Sequence, residues 1–226
     1  MDQPIPSSRF DLTTPKGRRR AEHDLIWGDH GFLRAHFNNF HWISEEMARA
    51  NQPSPEQIAE YAEMGFKTIL NVRGPSDTGY YVLEKDACAR HKLDLVDLQM
   101  HSRGAPTKEQ VLAARDQFET IRYPALVHCK SGADRAGVTA VLYEHFRKGK
   151  PIQEAMKQLS FKYLHVKQGK TGVLDFYFET YLRESAVSGK TFLQWVMEDA
   201  DPKAIKEAFK SSALGNLLVD IILRRE

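Results

Sequence analysis

Ala125-Leu126-Val127-His128-Cys129-Lys130-Ser131-Gly132-Ala133-Asp134-Arg135-Ala136-Gly137 is the stretch on which the reading of this chain turns. Pro124 to Cys129 is an apolar run with the length and content of a buried strand. A short loop follows, and Ala136 to Lys148 reads as a helix. Strand, glycine-containing turn and helix N-terminus together make a place to hold an anion. Successive N–H groups of Lys130, Ser131, Gly132, Ala133, Asp134 and Arg135 can turn inward as a nest. Gly132 permits a turn that a side chain would crowd. The helix dipole favours negative charge at the same point. Arg135 can grip two oxygens of an oxyanion and stay charged.

Outward from this stretch, helix and strand alternate. Phe40 to Met47 suggests short strands. Ser54 is a helix N-cap with Pro55 at the first helical position, and the helix runs to Met64 with a stop at Gly65. Lys67 to Val72 is a strand by its β-branched content. Tyr80 to His91 is a helix with apolar positions 80, 83, 87 and 88. Leu93 to Leu98 is a strand, His101 to Pro106 a loop, and Thr107 with Gln110 a capping box for a helix through Ile121. After Lys148 only helices are expected: Ile152 to Leu159, Lys170 to Ser185, Thr191 to Glu198, and pieces from Pro202 on. The alternation predicts an α/β fold, a central mainly parallel sheet flanked by helices. The loop then lies at the C-terminal end of a central strand, where ligands sit in open α/β sheets.

Residues 1–39 read as an arm and a helix, 40–165 as the main domain, and 166–226 as a helical extension. The basic cluster Lys16, Arg18, Arg19 and Arg20 closes a polar arm. Leu33, Phe37 and Phe40 fit helical spacing, and Trp27 and Trp42 read as core anchors. His30, His36 and His41 lack companions at ligand spacing, so no metal is expected.

Of the 226 residues 42% are hydrophobic and 27% charged, and the net charge is +2. This balance suits a globular protein with a core and implies no nucleic-acid partner. There are two cysteines. Cys88 reads as a small apolar residue on a helix; a working Cys129 must stay reduced, which favours the cytoplasm. No signal peptide is visible and no run approaches a membrane span. Leu214, Leu217, Leu218, Ile221 and Ile222 fall on one helical face. That face either packs on the protein or a second subunit, or makes a peripheral membrane contact.

Cys129 and Arg135 stand in the Cys-x5-Arg spacing, which resembles the signature loop of the cysteine-dependent phosphatases. The form His-Cys-Lys-Ser-Gly-Ala-Asp-Arg is most similar to bacterial dual-specificity and phosphoinositide-type members. The resemblance covers roughly residues 40–165 and is detailed only over 127–137. It implies a dual-specificity-phosphatase-like fold and a Cys129 thiolate that attacks phosphorus, forms a phosphocysteine and needs no cofactor. The alternative is a phosphate-binding relative with little turnover, because Ala136 stands where such enzymes usually carry Ser or Thr. The general acid is open. Asp134 is preferred; Asp97, Glu109 and His101 are the other candidates. Arg73, His101 and Arg103 could line the mouth with Lys130, which would suit substrates bearing more than one phosphate. The expected partner is a phosphorylated protein or a lipid headgroup.

Overall fold

Period-two alternation in three apolar runs builds the sheet. Ala125 and Val127 join one hydrophobic cluster while Leu126 joins the cluster on the opposite face. Leu70 and Ile69 divide in the same way, as do Met47 and Ala48. Successive side chains of a strand point to opposite faces, so each run is buried twice over. The computed structural model describes residues 9–34 and 37–223, with side chains as far as residue 212.

In chain order the elements are α1 (Pro15–His23), α2 (Gly31–Arg34), β1 (His41–Trp42), β2 (Met47–Ala50), α3 (Pro55–Glu63), β3 (Thr68–Asn71), α4 (Gly79–His91) and β4 (Asp94–Asp97). Then come α5 (Lys108–Thr120), β5 (Ala125–His128), α6 (Asp134–Phe146), α7 (Ile152–Ala155), α8 (Val173–Ser188), α9 (Phe192–Glu198) and α10 (Pro202–Leu223). The sheet order is β1-β2-β5-β3-β4, parallel except for the β1–β2 pair. The α/β expectation therefore holds, and β5 is the central strand. Ala50 and Asn71 both register with His128. The C-terminal ends of three strands thus line up where the loop departs.

Residues of α3 and α4 cover one face, with Ile58, Tyr61, Ala87 and Cys88 buried against Leu126 and Ile69. Residues of α5, α6, α8 and α9 form the other cluster, which runs without a break from Met47 to Ile205. The expected caps are present. Ser54 and Thr107 each accept from the third helical N–H and are answered by Gln57 and Gln110; Thr191 with Gln194 repeats the box. Such a cap contributes about 1 kcal/mol.

The N-terminal reading needs three corrections. Residues 15–20 are not a loose arm. Thr14 caps α1, which packs on α4 through Ala21 and Leu83, and Arg18 pairs with Asp86 at 2.9 Å. Among the described residues the helix expected through Leu33, Phe37 and Phe40 is not formed, since residues 37–40 are not helical. His30 takes a left-handed φ of 58°, and α2 ends at Arg34, whose guanidinium turns back to Asp29. The two tryptophans are not core anchors. Trp27 is 59% exposed and meets the half-exposed Phe32 ring, while Trp42 is 48% exposed and covers the buried Phe66 ring from outside. Among the described residues no helix is long and apolar enough to cross a membrane. The apolar face from Leu214 to Ile222 lies outside the residues whose side chains are described.

Candidate active site

The loop after β5 is shaped from outside, by its carbonyls. The Lys130 carbonyl accepts from the Gln52 N–H at 3.3 Å. That of Ser131 accepts from Asn39 Nδ2 at 3.0 Å. Those of Gly132 and Ala133 both accept from Arg49 Nη2, at 2.7 and 2.8 Å. A planar trans peptide carries its C=O and N–H on opposite sides. Four carbonyls tied outward therefore turn the amides of Ser131, Gly132, Ala133 and Asp134 toward the concave side, as an anion nest requires. Gly132 sits at φ 74°, and a Cβ there would lie 2.7 Å from the Ala50 carbonyl. Only glycine lets the loop close so tightly over the end of β2.

Arg49 is the organiser. It alternates with Ala48 and Ala50 on β2 and is fully buried. Its Nη1 donates to the Gln158 carbonyl at 2.8 Å and to Gln158 Oε1 at 3.0 Å, and its guanidinium lies 4.2 Å from the Tyr163 ring centroid. Burial pulls it down to about 10, against the opposing charges of Cys129, Tyr163, Asp134 and Glu144, so it stays protonated at neutral pH.

An open cleft of about 770 Å³ lies over this loop. Cys129, Lys130, Ser131, Asp134 and Arg135 line it from the loop, and His101 and Arg103 from the loop after β4. Lys206 of α10 completes it. The structure thus brings Cys129, Lys130, Ser131, Asp134, Arg135, His101 and Arg103 together at one cleft. Arg73 does not reach the mouth. Its guanidinium donates to both oxygens of Asp29, at 2.7 and 2.9 Å, and to Gln52, and stacks 3.4 Å from the Tyr80 ring centroid. Burial alone would raise the Asp29 carboxyl; Arg73, Arg34 and Lys130 outweigh it and hold it below the usual range. Arg73 is a structural ion pair that fastens the N-terminal segment to the edge of the site.

Beneath the loop, His128 faces α4. Its Nε2 is 2.6 Å from Glu84 Oε1, both side chains fully buried, although the pair is not aligned as a hydrogen bond. Gln52 Nε2 donates to the other oxygen of Glu84 at 3.2 Å.

Of the candidate acids, Asp134 is the only carboxylate lining the cleft among the described residues. Asp97 ends β4 and is occupied by Asn71 Nδ2 at 2.7 Å and the Tyr81 hydroxyl. Glu109 is exposed, and hydrogen bonds from its own backbone and Thr107 keep its carboxyl low. Asp134 Oδ1 meets His165 Nδ1 at 2.8 Å, and His165 Nε2 meets Asp175 Oδ2 at 2.7 Å. The His165 ring has no exposed surface. Burial would depress it, but the hydrogen bonds to Asp134 and Asp175 prevail and push it up to about 9. A group raised in the folded state stabilises fully below its unfolded value and loses that contribution as pH climbs to the folded one. Unfolding free energy should accordingly fall between about pH 6.5 and 9, by at most about 3 kcal/mol. Denaturant titrations across that range check it: His165→Gln should flatten the fall, and an equal fall in the variant would refute the assignment.

Ala136 is fully buried and offers no hydroxyl. The Thr139 hydroxyl donates to the Arg135 carbonyl at 2.8 Å, so it turns along its own helix. Sequence reasoning missed Arg49, Asn39, His165, Asp175 and Lys206. Arg49 alone left a trace, as a charge set between alanines in a stretch too apolar to be a surface strand.

Comparison with known proteins places the chain among phosphatases. Residues 41–173, more than half of the chain, match the family model described as a DSP-PTPase phosphatase fused to NAD+ kinase. NAD kinase 2, chloroplastic, of Arabidopsis thaliana is 30% identical over 118 residues, which are 49% of this chain and 12% of that protein. The chain thus spans a small part of that relative's length. Among solved structures, TpbA of P. aeruginosa superposes with a TM-score of 0.51 at 18% identity, covering 76% of this chain and 90% of TpbA. A TpbA structure in complex with pTyr gives 0.51 at 19%, covering 72% and 91%. A mutant form of Tk-PTP gives 0.50 at 19%, covering 64% and 97%. At these identities the structural likeness shows the fold.

Proposed function

We propose a reaction for this chain, which belongs to the family of DSP-PTPase phosphatase domains described as fused to NAD+ kinase: hydrolysis of phosphate monoesters through a phosphocysteine on Cys129. One observation carries the reading. Four loop carbonyls are tied outward, which leaves the loop amides turned inward beside Cys129 and Arg135 at one cleft. The thiolate attacks phosphorus and the P–O ester bond breaks. Asp134 gives the leaving oxygen its proton. Water then attacks the phosphocysteine, Asp134 takes up a proton, and phosphate and thiolate separate.

The rim supports a polyanionic substrate. Arg103, Lys130 and Lys206 line the cleft with one carboxylate, and no Phe, Tyr or Trp is among the lining residues. A phosphotyrosine slot would want an aromatic wall, whereas a second phosphate would find cations here. Headgroups and soluble esters bearing two or more phosphates are therefore favoured over phosphopeptides.

Acid quench during turnover of an aryl phosphate, followed by mass spectrometry, should find one phosphoryl group on the peptide carrying Cys129. Because Ala136 supplies no hydroxyl to help expel the thiolate, a pre-steady-state burst should precede slower turnover. In a panel of phosphopeptides, phosphoinositides and NADP, at least one polyphosphorylated ester should exceed the peptides about tenfold in kcat/KM, the effect of one extra contact worth about 1.4 kcal/mol. Preference for phosphopeptides would overturn the substrate class. Phosphate binding without any phosphoenzyme would overturn the reaction and leave a binding module.

A further inference from the structure

We propose that His165 is a positioning residue for Asp134: it holds Oδ1, leaves Oδ2 to face the reacting phosphate, and through Asp175 sets the pH range over which Asp134 works. The inference rests on the phosphatase reading above and concerns a residue that does not line the cleft.

Three observations support it. Both ring nitrogens of His165 meet carboxylates, at 2.8 Å for Asp134 and 2.7 Å for Asp175, and the ring is wholly buried. A buried ring with both nitrogens so engaged has one orientation, so Asp134 inherits that order. The two carboxylates come from different elements. Asp134 is in the first turn of α6 and Asp175 in the first turn of α8, where helix dipoles favour negative charge. Asp175 is itself buried, so its partner is the ring and not solvent. Finally, Asp134 Oδ1 is engaged by the ring, and the carboxylate lines the cleft.

The chemistry balances at Asp134. In the first step the Oδ2–H bond breaks, the proton goes to the leaving oxygen, and the electron pair stays on Oδ2. The Nδ1–H donor at Oδ1 stabilises the carboxylate so formed. In the second step attacking water returns a proton to Oδ2. His165 loses no atom in either step; its charge offsets that of Asp134. Two other cations act on the same carboxylates, Arg49 of β2 on Asp134 and Lys167 on Asp175. Neither is expected to titrate near neutrality. When the ring loses its proton, the carboxylate that forms at Asp134 in the first step faces Asp175 without an intervening charge, and turnover should fall.

Asp175→Asn is the decisive variant, since Asp175 lies behind the ring. Wild type should lose kcat/KM on an alkyl phosphate as pH rises toward about 9, the range in which His165 titrates. In Asp175→Asn that limb should move down by about one pH unit, the scale of one neighbouring charge. In His165→Gln it should vanish. Both variants should lose at least about tenfold more kcat on an alkyl phosphate than on an aryl phosphate with a good leaving group, as loss of acid function requires. A limb that stays put in Asp175→Asn, or equal losses on both substrates, would overturn the proposal. Imidazole ¹⁵N shifts give a readout free of turnover. His165 should be doubly protonated at pH 7 in wild type and titrate about one unit lower in Asp175→Asn. A ring neutral at pH 7 in wild type would overturn the proposal even if the enzyme is active. Absence of any Cys129-dependent hydrolysis, with the ring titrating as expected, would instead refute the phosphatase reading together with the catalytic part of this one.

Discussion

Cys129→Ser should abolish phosphate-ester turnover by on the order of 10⁴-fold or more, the scale on which loss of a covalent nucleophile acts, while the loop keeps its shape. The two halves of this expectation come from different parts of the structure. The loop is held by Arg49, Asn39 and the Gln52 amide acting on backbone carbonyls. None of those bonds uses the Cys129 side chain. Cys129 is almost fully buried at the floor of the cleft, and a serine fits its space. Stability should thus change by less than about 1 kcal/mol. A serine hydroxyl is not ionised near neutral pH, so it does not replace the thiolate as attacking group. The attacking group is lost and the anion site is not. Initial rates on an aryl phosphate, thermal unfolding and calorimetric binding of inorganic phosphate test all three statements. Turnover within a hundredfold of wild type would show that Cys129 is not the nucleophile. Loss of phosphate binding together with turnover would show that the thiol shapes the loop after all.

The parts of this site that lie within one strand–turn–helix unit were legible in the sequence, and the parts that arrive from elsewhere were not. The apolar run to His128, the glycine at 132 and the helix from Asp134 are local, and local pattern predicts them. Their supports are distant: Arg49 reaches the Gly132 carbonyl across 83 residues, and His165 reaches Asp134 across 31. Nothing in the spacing of Asp134, His165 and Asp175 marks them as neighbours, because the segment between α7 and α8 is irregular and has no periodicity to read. Arg73 shows the opposite error. It follows a strand at the correct end of the sheet, so position alone suggested the mouth. Asp29 and Tyr80 claimed the guanidinium instead. The tryptophans failed for a related reason, since large apolar residues are often left at the surface, and Trp27 sits on a short hook outside both main clusters.

Arg49→Met should be the most destabilising single change considered for this chain and should remove activity without touching a lining residue. Methionine approximates the volume of the aliphatic stem but donates nothing. Four hydrogen bonds would go, leaving the Gly132 carbonyl and both Gln158 acceptors with reduced or no partners in a buried region, while Ala133 retains the Gly137 N–H. An unsatisfied buried polar group costs about 1–3 kcal/mol, so two or three of them imply a loss of roughly 3–5 kcal/mol. That is a large fraction of a typical domain's stability. The charge loss acts separately. Arg49 is a fully buried cation, and it interacts electrostatically with Cys129. Arg49→Lys separates the two effects. An ammonium retains the charge but cannot fork between Gly132, Ala133 and Gln158 as a planar guanidinium does. Lysine should recover part of the stability and little of the turnover, because carbonyls released from the outside of the loop can swing inward and meet the phosphate with the wrong sign. Urea unfolding and phosphate affinity, measured on both variants, decide the matter. Full turnover in Arg49→Lys would mean that charge alone is needed at this position. Wild-type stability in Arg49→Met would mean that the loop carbonyls do not depend on the guanidinium for their orientation.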